Sequence, residues 1–161
     1  MIRQVKQLDS SLEARGAEYL VLGRLLIEGI PAFKCDDGAA GYDLVATNPD
    51  RSTSCRIQVK SRWATDANGG VFIKNFASEF LVYVALNRGN RYGPQAKRGA
   101  DKREPDFYVI PTRLVMAMPR TKADLVYVLK HLPKPAEFLD RFDNIARRLA
   151  SQRRCGRRNK P

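Results

Sequence analysis

"GYDLVATNPDRSTSCRIQVKSR", Gly41 to Arg62, reads as two short strands around the polar turn "NPDRST". It puts Asp43 at the start of the first strand, and Gln58 and Lys60 near the end of the second. In an antiparallel ladder, directly opposed residues share a face. Setting Asp43 opposite Gln58, or opposite Lys60, centres the turn near Asp50 to Ser52. Either register gathers Leu44, Ala46, Ile57 and Val59 on an apolar face and Asp43, Gln58 and Lys60 on the other. A slip of one residue mixes the two faces, so the alternation itself specifies the register.

The flanking segments extend this hairpin into a fold. Upstream, Ser10 and Glu13 have capping-box spacing, and Gly29 follows the last periodic residue as a helix stop. Between them Ala14, Ala17, Val21 and Leu25, with Leu22 and Leu26 nearby, build one apolar stripe. At ~100° per residue, Glu18 falls inside that stripe, between Leu25 and Leu22. "IPAFKCDDGAAG" predicts a short edge strand and a glycine-containing loop. Downstream, "VFIKNF" and "FLVYVAL" predict strands, the second a near-continuous apolar run typical of a central strand. "DFYVIPT" predicts another, ended by Pro111.

The segment from Asn87 to Pro105 is polar, glycine-bearing and basic, with a length that in a compact domain marks function or disorder. From Pro135 to Ala150, Phe138, Leu139, Phe142, Ile145, Ala146 and Leu149 have helical spacing and predict a helix packed on the sheet. The order of elements specifies an α/β or α+β fold, a mixed central sheet flanked by helices. There is no internal repeat. Residues 1–150 read as one domain and 151–161, "SQRRCGRRNKP", as a basic, flexible tail.

Composition narrows the function classes. The 161 residues suffice for a real core, and no stretch reaches the ~20 apolar residues of a membrane helix. "MIRQVKQLDSS" lacks the apolar centre of a signal peptide, which points to the cytoplasm. Cys35, Cys55 and Cys155 have no zinc-motif spacing and read as reduced thiols. His131, the only histidine, lies in the polar "LKHLPKP" and reads as a surface residue, which disfavours Ser-His and Cys-His chemistry. Lys and Arg outnumber Asp and Glu by 29 to 17. Such a balance suits a polyanion, because each neutralised phosphate releases counterions. Without a basic amphipathic helix bearing aromatic anchors, nucleic acid fits better than anionic membrane.

The polar face of the hairpin has chemistry suited to phosphodiesters. Magnesium or manganese takes oxygen ligands, one or two carboxylates together with waters and phosphate. Asp43 supplies a carboxylate and Gln58 a neutral side-chain carbonyl. Lys60, on the same face, can hold or deprotonate an attacking water and neutralise phosphate charge. Glu18, aimed from the helix toward the sheet, can orient a water on the metal.

The order of Glu18, "GYDLVA" and "RIQVKSR" resembles the PD-(D/E)XK nuclease superfamily over roughly Ala14 to Arg62. Within it, "GAEYLVLGRLLIEGIPAFK" followed by the hairpin is most similar to archaeal-type Holliday junction resolvases and small homing or restriction-type endonucleases. The resemblance implies a restriction-endonuclease-like core, Asp43 as the first acid of the motif, Gln58 and Lys60 as its second half, Glu18 as the helix acid and the Val59 backbone carbonyl as a metal ligand. It also implies a Mg2+- or Mn2+-dependent endonuclease acting on duplex or branched DNA. Two active sites, hence a homodimer or higher homo-oligomer, are expected where both strands are cut. The sequence departs from the pattern at Gln58, which is normally acidic. Arg62, Lys97, Arg98, Lys102, Arg103, Arg153 and Arg154 are candidates for DNA contact, with Trp63, Arg147, Arg148, Arg157 and Arg158 beside them. The competing readings are a non-catalytic nucleic-acid-binding protein of the same fold and a basic RNA- or ribonucleoprotein-binding protein.

Overall fold

The computed structural model describes residues 10–35, 41–63, 69–73, 77–89 and 102–156, with side chains up to 151. Helix α1 spans Ser10–Ile27. Its stop is local chemistry: Gly29 adopts φ +75°, and the N–H groups of Ile30 and Gly29 bond the carbonyls of Leu25 and Leu26. These are the two bonds of a Schellman cap, with Ile30 buried beyond it. Strands β1 (Ala32–Lys34), β2 (Leu44–Thr47) and β3 (Ser54–Arg62) form an antiparallel meander. Leu44 faces Ile57 and Ala46 faces Cys55, so the ladder, continued, sets Asp43 against Gln58. Of the two registers the alternation allows, this is the one adopted. Its turn is closed by the Arg51 N–H to Asn48 O and by Asn48 Oδ1 accepting from the Thr53 N–H.

After the short β4 (Val71–Phe72), β5 (Phe80–Ala85) runs parallel to β3, and β6 (Asp106–Pro111) runs antiparallel to β5. The sheet order is β1-β2-β3-β5-β6. The expected edge strand and central strand therefore stand as β1 and β5. Every residue of β5 is buried, because the sheet is covered on both faces there. On one face α1 and α4 (Asp143–Gly156) meet Leu44, Ile57, Val59, Val82 and Val84. On the other, Leu81, Tyr83 and Ile110 meet residues of α2 (Thr112–Met116), α3 (Val128–His131) and the ribbon of β4 with β7 (Leu125–Val126). Full burial of each large aliphatic side chain in these layers contributes about 1.5–3 kcal/mol. Pro111 is tolerated because β6 is an edge strand.

Three expectations change. In α1 only Ala17, Val21 and Leu25 are buried, and Leu22 is half-buried. Ala14 and Leu26 are exposed. The expected helix from Pro135 is broken: Pro135–Phe138 is a 3-10 turn, Leu139 bridges to Tyr108 of β6, Asp140 takes φ +52°, and α4 starts at Asp143. A nonlocal strand contact thus overrides local periodicity. Finally, α4 continues through Gly156, so position 150 lies inside a helix. Residues 157–161 lie outside the described residues.

The αL cap predicts its own energetics. Gly29→Ala should cost ~1–2 kcal/mol, since nothing crowds the position and only the positive φ is penalised. Urea denaturation should show a lower midpoint with an unchanged slope.

Candidate metal-dependent hydrolase site

Asp43 sits just before the first ladder residue of β2, where the strand begins. Its own N–H bonds the Ile57 carbonyl, and its Oδ2 accepts the Val59 N–H at 2.6 Å. A side-chain carboxylate here continues the hydrogen bonding of the ladder, which fixes its position against the middle of β3. Burial holds the Asp43 carboxyl above its ordinary range; the Val59 N–H opposes this, the Glu18 carboxylate adds to it, and Lys60 and Lys34 pull it back down. Four groups from α1, β1, β2 and β3 thus share one electrostatic environment.

Gln58 and Lys60 leave β3 on the face opposite Ile57 and Val59, in register with Leu81 and Tyr83. Gln58 is only 7% exposed, and its Oε1 is buried without a hydrogen-bond partner among the described residues. A buried acceptor with no donor is costly in an apolar setting and calls for an explanation. Lys60 is half-buried. Beyond its electrostatic contact with Asp43, its ammonium has no ion pair or hydrogen bond among the described residues. Glu18, from the α1 side of the sheet, pairs with Lys34 Nζ at 3.0 Å, both side chains mostly shielded from solvent.

Of the four residues expected to form the site, Asp43 is the common member: it stands opposite Gln58 in register and feels the charges of Lys60 and Glu18, with Gln58 and Lys60 on one side of the sheet and Glu18 on the α1 side. Lys34 was missed. It carried a legible signal: Ala32 and Lys34 share a strand face by period two, so a lysine points inward, and Glu18 was already an acid in an apolar stripe. Two inward charges of opposite sign can satisfy each other. Among the described residues no three Asp, Glu, His or Cys side chains form a metal-holding group. A hard-cation site here has to draw on amide and backbone oxygens as well as carboxylates, and the orphaned Gln58 Oε1 is such an oxygen.

The expected DNA contacts divide. Arg62 follows Lys60 on the same face of β3, with its Nε buried and without a partner among the described residues; a Cβ on Gly69 would collide with that Nε, so Gly69 gives the guanidinium its room. Arg103 pairs with Asp106 and Arg147 with Asp143, both on the protein's own surface. Lys102 and Arg148 are exposed. Lys97, Arg98, Arg157 and Arg158, and the side chains of Arg153 and Arg154, lie outside the described residues. Trp63 is half-buried at the end of β3. Among the described residues no disulfide forms, and burial pushes Cys55 up to about 12, which removes it as a nucleophile. His131 is half-buried and packs edge-on against Tyr127. No helix among the described residues is long and apolar enough to cross a membrane.

No family profile matches the chain, and no curated protein does. Among solved structures the chain is similar to a bacterial homing endonuclease, I-Ssp6803I, with a TM-score of 0.57 and 19% sequence identity over 91% of this chain and 99% of that one. The likeness extends over essentially the whole of both chains, and it is a likeness of fold: a mixed sheet flanked by helices that a nuclease also uses.

The buried acid has a measurable consequence for stability. A carboxyl raised above its ordinary value of 3.8 binds its proton more tightly in the folded state. Stability is then full below that value and falls as pH rises through the folded one. Asp43→Asn removes the partly buried charge and should raise the melting temperature at neutral pH without added metal. The difference from wild type should vanish as the pH falls to ~3, tracked by circular dichroism.

Proposed function

We propose that the protein is a divalent-metal-dependent DNA endonuclease of the PD-(D/E)XK kind. The observation that carries this reading is the buried Gln58 Oε1, an acceptor without a donor on the same strand face as Lys60 and opposite Asp43 in register. An amide oxygen in that setting suits a hard cation. The net charge of +12 supports a polyanionic partner, and the fold shared with a homing endonuclease is compatible with it.

In this reading Asp43, Gln58 and the Val59 backbone carbonyl hold Mg2+ or Mn2+, and Glu18 takes part through a water. When bound, the metal supplies Lewis-acid stabilisation of charge developing on the phosphate. The protein's own residues do the rest. The Val59 N–H occupies Asp43 Oδ2, which leaves the second carboxylate oxygen for the cation. Lys60 Nζ would position the attacking water by hydrogen bonding and offset phosphate charge. Lys34 keeps the Glu18 carboxylate compensated when nothing else does. Arg62, two residues beyond Lys60 on the same face, lies where a neighbouring phosphate would run. The substrate is duplex or branched DNA, in recombination, restriction or the mobility of a genetic element. Cutting two strands asks for a homodimer or higher assembly. A cytoplasmic setting is part of the same reading. The nuclease domain is proposed to cover residues 1–150, and the basic stretch beyond it begins as the last turns of α4.

A second reading, a nucleic-acid-binding protein of the same fold without catalysis, is favoured by the same residue. Gln58 brings no charge, and Glu18 is already paired to Lys34, which lowers metal affinity relative to a site with a third free acid.

Incubation with supercoiled, linear and four-way-junction DNA, with Mg2+, Mn2+ or chelator, separates the two. Metal-dependent cleavage is expected. Asp43→Asn and Lys60→Met should each lower its rate ~100-fold or more while leaving DNA retained at low salt. Gln58→Glu should lower the Mg2+ concentration for half-maximal rate. Binding without cleavage of any substrate in either metal would select the second reading. Cleavage that survives both Asp43→Asn and Lys60→Met would reject the site.

A further inference from the structure

Helix α1 packs on the sheet through Ala17, Val21 and Leu25, yet its opposite face is apolar as well. Leu12, Tyr19 and Leu26 are 61%, 60% and 53% exposed. With Gly16 and Gly23 they recur at alternating spacings of four and three residues, the repeat of a two-helix seam. Leu20 and Ile27 widen the seam along one side, at 43% and 79% exposed. A helix that is apolar all round is ordinarily buried all round. Among the described residues nothing outside the helix's own backbone asks for either glycine, since no such atom stands within 4 Å of where a Cβ would be. We propose that this face of α1 is covered by the same face of a second copy of the chain, the two helices lying antiparallel about a two-fold axis near Tyr19.

Three features choose a second copy over other occupants. The seam reads Leu–Gly–Tyr–Gly–Leu from either end, so an antiparallel mate presents the same surface, as an isologous contact requires. Glycine facing glycine lets the two backbones approach closely, a use that needs no side chain. The area is adequate. Taking ~200 Å² of total surface per large side chain, the five residues at their observed exposures present ~600 Å², the upper end for a patch on a monomer. Two copies then bury ~1,200 Å², above the ~1,000 Å² that a biological interface needs. The seam carries no charged residue, which sets it against DNA as the occupant. The inference gives a surface to the homodimer that the endonuclease reading asks for, yet it is argued from the face of α1 and can fail or hold whether or not the protein cleaves DNA.

Sedimentation equilibrium of the full chain decides it. The wild type should weigh twice 18.2 kDa at about 100 µM. Tyr19→Glu with Leu26→Glu should raise the dissociation constant ~100-fold or more, with unchanged far- and near-UV circular dichroism. Gly16→Ala with Gly23→Ala, which favours an isolated helix, should nevertheless weaken the dimer ~10-fold and decides alone if the glutamate pair does not fold. A monomeric wild type at that concentration overturns the proposal and leaves the face to a segment of the same chain or to another protein. A dimer unmoved by either pair overturns it too.

Discussion

Where β2 begins, the Asp43 carboxylate stands in for a backbone carbonyl and accepts the Val59 N–H at 2.6 Å. The rest of the site is arranged around that bond. It ties an acid to the central stretch of β3, so the carboxylate is placed by sheet geometry rather than by a free rotamer. Residues on rigid elements hold a functional constellation better than residues on loops. The same bond meets part of the cost of burying an acid, since an N–H donor favours the charged form. What remains uncompensated is visible in the raised Asp43 carboxyl and in the pairing of Glu18 with Lys34.

The position of the site follows from how the sheet is covered. The α1 and α4 layer runs under β1, β2, β3 and β5, while the second layer of α2, α3 and the β4–β7 ribbon packs against β5 and β6. On that second side, Phe33 and Val45 of β1 and β2 lack such cover, and Arg51 and Arg56 lie over the rings of Phe33 and Tyr42. Gln58 and Lys60 stand at the border between covered and open sheet. Polar side chains there can be shielded enough to interact strongly and still reach a ligand, which neither a full core nor a bare surface permits.

The hairpin was the most legible part of the chain, because turn chemistry and alternation agree on one register and a slip would scramble both faces. Asp43, Gln58 and Lys60 followed from that register alone. Glu18 was legible as an anomaly within a stripe. Other features were hidden for physical reasons. Two apolar faces on α1 blur into a single wide stripe when read along the sequence, so Leu26 was assigned inward although it points out. The helix expected over 135–150 fails at Leu139, where pairing with Tyr108, about thirty residues away, is a tertiary event no local pattern encodes. Lys34 was overlooked because an edge-strand lysine is usually a solvated guard against aggregation; only its partner on α1 reveals that it points in.

Asn87 closes the base of the basic segment between β5 and β6. It is fully buried at φ +52°, its Nδ2 donates to the Glu104 carbonyl and to Asp106 Oδ2, and its own carbonyl accepts from the Arg103 N–H. A single side chain thus clasps both ends of the excursion, and the β5–β6 ladder begins directly below the clasp. The clasp anchors both ends of the excursion at the edge of the ladder, so a change in length between them need not be passed to the strands around Asp43.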